Sequence, residues 1–427
     1  MLIGSTMPNP TRTLPLRLVR SAVMASLPMA ALATSLLAIP AWADDADRLK
    51  KLEEENQALK NRLDSLEQVA QKEGILAGGT GSTNLVKSMS GMELSGFVTS
   101  SYFYDTSNPK SGTSPGYLWN RKSDSFAINK VKLTIASQPV ERSGDTWGAA
   151  YRASLIFGQD APIVNSSAST VGFSSLREAY VELNVPLGTG LNVKAGELIS
   201  LLNYESGDGG AVNDNFSQGY QWFYTGNGPA AGAQLGYTFT DWLDVKVRLQ
   251  NGLYAGPIDN NKSKTVMASI GVKPTDKVWL NFIGFTGRES DSLRILQGVS
   301  MLGGWNVTDK FHVGTELDYF VFNNSHKDHA VWSSGGWFSY AFTPKVGAAI
   351  RAEYLSDTDG VDASGDPLGF KPNSGQDISS VAFTFNLKPL PQVKIQPEIR
   401  YDHSSLSDAF GTKKDRFLVG AGVSYLF

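Results

Sequence analysis

From Leu94 to Phe427 apolar and polar positions alternate in short runs, and the alternation restarts after each cluster of turn residues. Val131, Leu133 and Ile135 alternate with Lys130, Lys132 and Thr134. Ala179, Val181, Leu183 and Val185 alternate with Glu178, Tyr180, Glu182 and Asn184. The same pattern sets Leu243, Val245, Val247 and Leu249 against Asp244, Lys246, Arg248 and Gln250, and Val393, Ile395, Ile399 and Tyr401 against Lys394, Gln396, Glu398, Arg400 and Asp402. A period of two places one set on each face of a β-strand. Tight polar turns at Thr240-Asp241, Thr275-Asp276, Thr308-Asp309 and Thr343-Pro344 recur at spacings of 35, 33 and 35 residues, which is a hairpin repeat. The pattern predicts sixteen strands, near 94–104, 126–137, 147–157, 176–185, 191–197, 231–239, 243–250, 265–273, 278–286, 293–305, 311–322, 330–341, 346–355, 376–387, 393–402 and 416–427.

The first ninety residues follow other rules. Arg12, Arg17 and Arg20 precede an apolar run from Ala22 to Pro40, and Ala41-Trp42-Ala43 ahead of Asp44 reads as a small-x-small cleavage site. Residues 1–43 are therefore expected to be a signal peptide. Over 44–73, Leu49, Leu52, Asn56, Leu59, Leu63, Leu66 and Ala70 fall on the a and d positions of a heptad, with charged residues at most others. Such a narrow stripe on a polar helix predicts a short coiled coil, with Asn56 fixing its register. Residues 74–91, including Gly78-Gly79-Thr80-Gly81-Ser82, read as a flexible linker, and 92–427 as the strand-built domain.

A soluble sandwich alternates too. Strands of about ten residues, short turns alternating with long loops, and a charged face on strand after strand favour instead an all-β, transmembrane antiparallel β-barrel with a wet lumen. Tyr (15), Phe (21) and Trp (9) suit its interfacial girdles. The even strand count puts both chain ends on one side, with the coiled coil and short turns in the periplasm and the long loops outside. The residues expected to line the lumen are Lys130, Lys132, Arg152, Lys194, Lys246, Arg248, Arg351, Lys394 and Arg400 against Glu178, Glu182, Asp244, Glu316, Asp318, Glu353, Glu398 and Asp402. That near balance predicts no strong ring of one sign.

Composition narrows the partners. The leader holds three of the 38 basic residues and none of the 41 acidic ones, leaving a formal charge of −6, which argues against nucleic acid. With no Cys in an exported chain, neither disulfides nor thiol chemistry enters. The chain has four His and no nucleophile motif around a Ser, so no enzyme activity and no cofactor are expected. His326 and His329 read as surface residues rather than a metal site, and His312 as pore lining. Asp357, Asp359, Asp362 and Asp366 read as a solvated acidic loop, their spacing missing the helix-loop-helix calcium pattern.

The chain ends Val423-Ser424-Tyr425-Leu426-Phe427, with Val423, Tyr425 and Phe427 on one face. This resembles the C-terminal strand of outer-membrane porins, whose terminal Phe and alternating apolar residues are a recognition signal for the barrel-insertion machinery. The whole mature chain resembles the OmpL-like β-barrel porins, and its heptads are similar to those of trimeric porins that carry a coiled coil. The scattered Arg152, Arg248, Arg351 and Arg400 do not form the arginine ladder of phosphate-selective porins. The resemblance implies passive diffusion of small hydrophilic solutes and ions, a homotrimer in outer-membrane lipid, and a constriction made by the third long loop. Here that loop is roughly Ile199 to Ala230, with Glu205, Asp208 and Asp214 as its acids and Tyr220 and Trp222 packing it to the wall or touching solute. The alternative function is an envelope tether or adhesin, gripping the cell wall through the coiled coil and using the barrel only as anchor.

Overall fold

The computed structural model describes residues 91–427 apart from 116–120, 166–173, 227, 254–258, 260, 290–292, 325–327 and 358–374, together with Glu54, Gln57 and Lys60. Those three are helical and exposed. The leader, the heptad core Leu49, Leu52, Asn56, Leu59, Leu63 and Leu66, the linker as far as residue 90, His326, Asp359, Asp362 and Asp366 lie outside the described residues.

Sixteen strands form: β1 (Met92–Asp105), β2 (Ser125–Ser137), β3 (Gly148–Phe157), β4 (Leu176–Val185), β5 (Leu191–Leu198), β6 (Ala230–Thr240), β7 (Leu243–Gln250), β8 (Thr265–Thr275), β9 (Val278–Gly287), β10 (Leu293–Asn306), β11 (Phe311–Asn324), β12 (Asp328–Thr343), β13 (Val346–Asp357), β14 (Gln376–Leu390), β15 (Val393–Ser404) and β16 (Asp415–Leu426). The expected boundaries differ from these by at most three residues, the largest difference being at the end of β14. Each strand pairs antiparallel with its neighbour in sequence, and β1 pairs with β16 to close a barrel. At that seam the register runs from Phe97 opposite Leu426 to Asp105 opposite Leu418. Gly96 and Phe427 finish it by exchanging backbone hydrogen bonds of 2.9 and 3.0 Å. Closure leaves no sheet edge, so every strand finds its ladder partners inside the wall.

The two faces invert the rule of soluble proteins. Val181, Val247, Ile270, Val299, Leu317, Ile350, Ile399 and Val419 point outward and are exposed, while Ser269, Glu316, Arg351, Glu398 and Arg400 point inward and are buried. Outward aromatics gather near the two ends of the wall: Trp242, Trp305, Tyr340, Phe342, Tyr425 and Phe427 towards the short turns, Tyr104, Phe157, Tyr319, Trp332 and Phe417 towards the long loops. An apolar belt between aromatic girdles is the surface a bilayer covers. Val423, Tyr425 and Phe427 stand on this outer face of the last strand, about half exposed. No helix among the described residues is long and apolar enough to cross a membrane, so the crossing is made by strands.

Two short helices lie in the long loops: α1 (Ala161–Val164) between β3 and β4, and α2 (Tyr220–Tyr224) between β5 and β6. The hydrophobic core lies inside the barrel. Loop residues Leu201, Leu202, Tyr220 and Tyr224 pack on the inward side chains Met267, Ile283, Phe285, Leu296, Phe320, Val331, Leu355 and Ile378. Replacing Val299, an outward residue in the middle of β10, by Arg is expected to cost about 2–4 kcal/mol, the penalty of a cation against the hydrocarbon midplane. Denaturant unfolding of the protein refolded into lipid vesicles measures this, and a change below about 0.5 kcal/mol contradicts the assignment of that face to lipid.

Candidate functional site

The loop between β5 and β6, residues 199–229, enters the barrel and is tied to its wall through nearly its whole length. Irregular backbone inside a barrel has no ladder to satisfy its N–H and C=O groups, so the wall must supply partners. The inward charges do this. Arg248 on β7 donates to the Ile199 carbonyl at 2.8 Å, and Tyr204 N donates to Glu316 on β11 at 2.8 Å. Lys394 on β15 donates to the carbonyls of Gly210 (3.0 Å) and Asn213 (2.5 Å). The amides of Phe216 and Ser217 both donate to Glu398, which also accepts the Thr384 hydroxyl. Gln218 gives its carbonyl to Arg400 at 2.7 Å, Gln221 N donates to Glu353 at 3.1 Å, and Gln221 and Thr225 side chains donate to Asp318 at 2.7 Å.

Glu205 is the knot of this network. It accepts hydrogen bonds from Arg351 at 2.9 Å, from the Trp337 indole at 3.1 Å, and from the backbone of Gly219 in its own loop at 2.9 Å. Arg351 is fully buried and also meets Glu353 at 3.0 Å, a contact of charge rather than an aligned hydrogen bond. Asp208 reaches the opposite wall, 2.6 Å from Lys132 on β2 and 4.0 Å from Arg177 on β4. Burial alone would raise the Asp208 carboxyl, but Lys132 and Arg177 beside it hold it below the usual carboxylate range. Asp214 enters through its backbone, its carbonyl accepting from Asn386 and Gln396 at 2.9 and 3.1 Å.

The aromatics of the loop pack rather than project. Tyr220 donates to Asp402 at 2.9 Å, accepts from Arg416 at 2.9 Å, and carries the Arg400 guanidinium over its ring at 4.6 Å. Burial pushes its phenol up, so it stays neutral. Trp222 is buried with Ile156, Ala161 and Val164, between β3 and α1. Two wall glycines receive loop rings. A Cβ at Gly314 would meet the Tyr204 ring at 2.1 Å, and one at Gly422 would meet the Phe216 ring at 1.9 Å. Phe216 in turn stacks on Phe103 of β1, with centroids 5.5 Å apart.

The residues expected to line the pore therefore divide. Lys130, Lys132, Glu178, Lys246, Arg248, Glu316, Asp318, Arg351, Glu353, Lys394, Glu398, Arg400 and Asp402 face inward but are buried, most of them under the loop, and do not line an open pore. Many are loop anchors, because the loop takes the place of water on their hydrogen-bonding groups. Arg152, Glu182, Lys194 and Asp244 keep side-chain exposures of 37, 18, 17 and 20 %. All four lie on β3 to β7, where three ion pairs form: Arg152 with Glu178 (2.7 Å), Lys194 with Glu182 (3.2 Å) and Lys246 with Asp244 (2.9 Å). Among the described residues no group of three or more His, Cys, Asp or Glu is placed to hold a metal ion.

Sequence reasoning missed Arg177, Arg416, Trp279, Trp337, Gln221 and the two glycine sockets. Parity along the strands would have placed Arg416, Gly314 and Gly422 inside. A loop that far from its anchors in sequence gives no signal for Gln221.

A closed sixteen-stranded barrel, apolar outside and charged within, and entered by one long loop, is the build of an outer-membrane porin. The chain belongs to the family described as "Putative beta-barrel porin-2, OmpL-like", whose model matches residues 91–427. No curated protein sequence matches the chain. Solved structures share its fold at low identity. They include OprB of Pseudomonas putida at high pH (11 % identity, TM-score 0.52, covering 79 % of this chain and 94 % of that one) and an anion-selective porin from Comamonas acidovorans (9 %, 0.51, 79 % and 99 %). The trimer form of in-vitro folded OmpT from Vibrio cholerae is similar as well (10 %, 0.50, 79 % and 99 %).

Removing an anchor is expected to release the loop. Glu398→Ala leaves two buried amides unpaired, a cost of about 1–3 kcal/mol, and Gly422→Leu blocks the seat of Phe216. Limited digestion of the folded protein with chymotrypsin, read by mass spectrometry, is expected to cut within 216–224 in both variants and not in the parent. Equal protection in all three proteins contradicts this anchoring.

Proposed function

We propose that solutes cross by passive diffusion along the β3–β7 side of the lumen, and that residues 199–229 form the constriction. The observation that carries this reading is the exposure of Arg152, Glu182, Lys194 and Asp244, while the inward charges of β11 to β15 are covered. Hydrated charges tolerate a water-filled passage, and opposite signs in pairs sort ions only weakly. No catalytic step is assigned to any residue, and the barrel acts as a channel and not an enzyme. The mature protein is proposed to be a homotrimer in outer-membrane lipid, with its N-terminal coiled coil in the periplasm and the outward Val423, Tyr425 and Phe427 read by the insertion machinery. The heptad seam and the trimer form of the OmpT structure support the oligomer.

Single-channel recording of the mature protein in planar bilayers tests this. Stepwise openings in groups of three are expected, with weak ion preference. Lys194→Gln removes one charge at the water-filled wall. A unit charge about 4 Å from a hydrated ion contributes about 1 kcal/mol, so the permeability ratio is expected to shift towards cations by up to about five-fold. Absence of conductance from protein that is folded and heat-modifiable contradicts the channel and favours the envelope tether.

A further inference from the structure

On the inner wall Trp279 of β9 pairs in register with Gly304 of β10, Gly304 with Gly314 of β11, and Gly314 with Trp337 of β12. All four positions face inward, so two glycines make a flat shelf between two indoles. The Trp279 ring leans over Gly304, where a Cβ would meet its Nε1 at 2.3 Å. Tyr204 comes down from the loop onto Gly314. The Tyr204 ring is nearly parallel to that of Trp279, 6° apart with centroids at 6.1 Å, and lies 4.6 Å from that of Trp337. Trp337 is buried and spends its N–H on Glu205, whereas Tyr204 and Trp279 are only half-buried. Burial pushes the Tyr204 phenol up, so the exposed part of the shelf is uncharged.

Neutral hydrogen-bonding groups border this shelf. Asn281 follows Trp279 on the same face of β9, and its Oδ1 accepts from Ser269 at 2.6 Å. Asn306 and His312, one step towards the short turns, join Oδ1 to Nδ1 at 2.7 Å. Both amide NH2 groups are left with no protein partner among the described residues. Of the acids around the shelf, Glu205 is engaged by Arg351 and the Trp337 indole, Glu316 by the Tyr204 amide, and Asp244, leaning over Gly271, by Lys246, while Asp214 adds to the rise of the Tyr204 phenol.

We propose that the rings of Trp279 and Tyr204, bordered by Asn281, Asn306 and His312, form a stacking subsite for neutral saccharides in the pyranose form; the proposal rests on the channel reading above. An aromatic face is electron-rich and attracts the polarised C–H face of a sugar ring. The hydroxyls around that ring then meet amides and an imidazole that can both donate and accept. A charged solute finds Glu205, Glu316 and Asp244 already engaged by protein donors, and a purely apolar one would strip water from both amides without replacing it. Apolar faces with a few placed polar groups are the general form of a small-molecule site.

The test uses the full-length mature protein. In a conducting bilayer, maltose in the millimolar range is expected to interrupt the single-channel current, and sorbitol, which has the hydroxyls but no ring face, is not. Trp279→Ala is expected to weaken the maltose response about ten-fold, and Asn306→Ala to weaken it about three-fold, which keeps the test open should the tryptophan variant fail to fold. Trp305→Ala, on the lipid-facing wall, is expected to leave the maltose response intact. A conducting channel indifferent to maltose, a maltose response unaltered in both site variants, or equal block by sorbitol overturns the subsite. Should the folded protein not conduct, the channel reading falls. Maltose titration of tryptophan fluorescence in detergent then decides the subsite separately: a saturable change lost in Trp279→Ala supports it, and no change overturns it.

Discussion

A loop that folds into a barrel brings its backbone N–H and C=O groups where little water can follow, and each one left unpaired costs more than a formed bond returns. That constraint explains most of the lumen of this protein. Glu316, Glu353 and Glu398 are needed as acceptors for loop amides, Lys394 and Arg400 as donors to loop carbonyls, and Glu205 as the clip that joins loop, Arg351 and Trp337. The charges that from a distance look like pore electrostatics are largely structural, and the loop is correspondingly part of the wall.

The lumen is thereby sorted into two sides. One side, β8 to β15, is filled by the loop, which covers β11 to β15, and by an apolar core of Met267 on β8, Phe285 on β9, Phe320 on β11 and their neighbours. The other, β3 to β7, keeps Arg152, Glu182, Lys194 and Asp244 partly in contact with water, each beside a group of opposite sign. Water-exposed and loop-anchoring positions thus draw on the same residue types at different places around the barrel. Which use a given side chain has is decided by what stands over it.

The strands, the turns and the inward face were legible because all three follow from a period of two, and that period survives whatever lies inside the barrel. The inward loop was legible only by resemblance. Burial was not: Arg351 and Arg152 have the same parity and the same chemistry, yet one is sealed and the other half open, and the difference is made by Glu205 and Ser217 far away in the chain. The inward apolar set was also hidden, since Met267, Ile283 and Phe320 break the polar side of the alternation and read locally as strands covered on both faces. The glycines carried usable information. Gly314 and Gly422 stand at inward positions where a side chain would be expected, and each marks the seat of a loop ring.

Phe216 lies between Phe103 and Leu418, one from each of the two strands that meet at the seam. The contact joins the first, the middle and the last parts of the barrel chain, so it closes long stretches of sequence and couples the seat of the inner loop to the seam. The inner loop is thereby stitched into the closure of the wall: whatever unseats Phe216 also loosens the two strands at which the barrel closes.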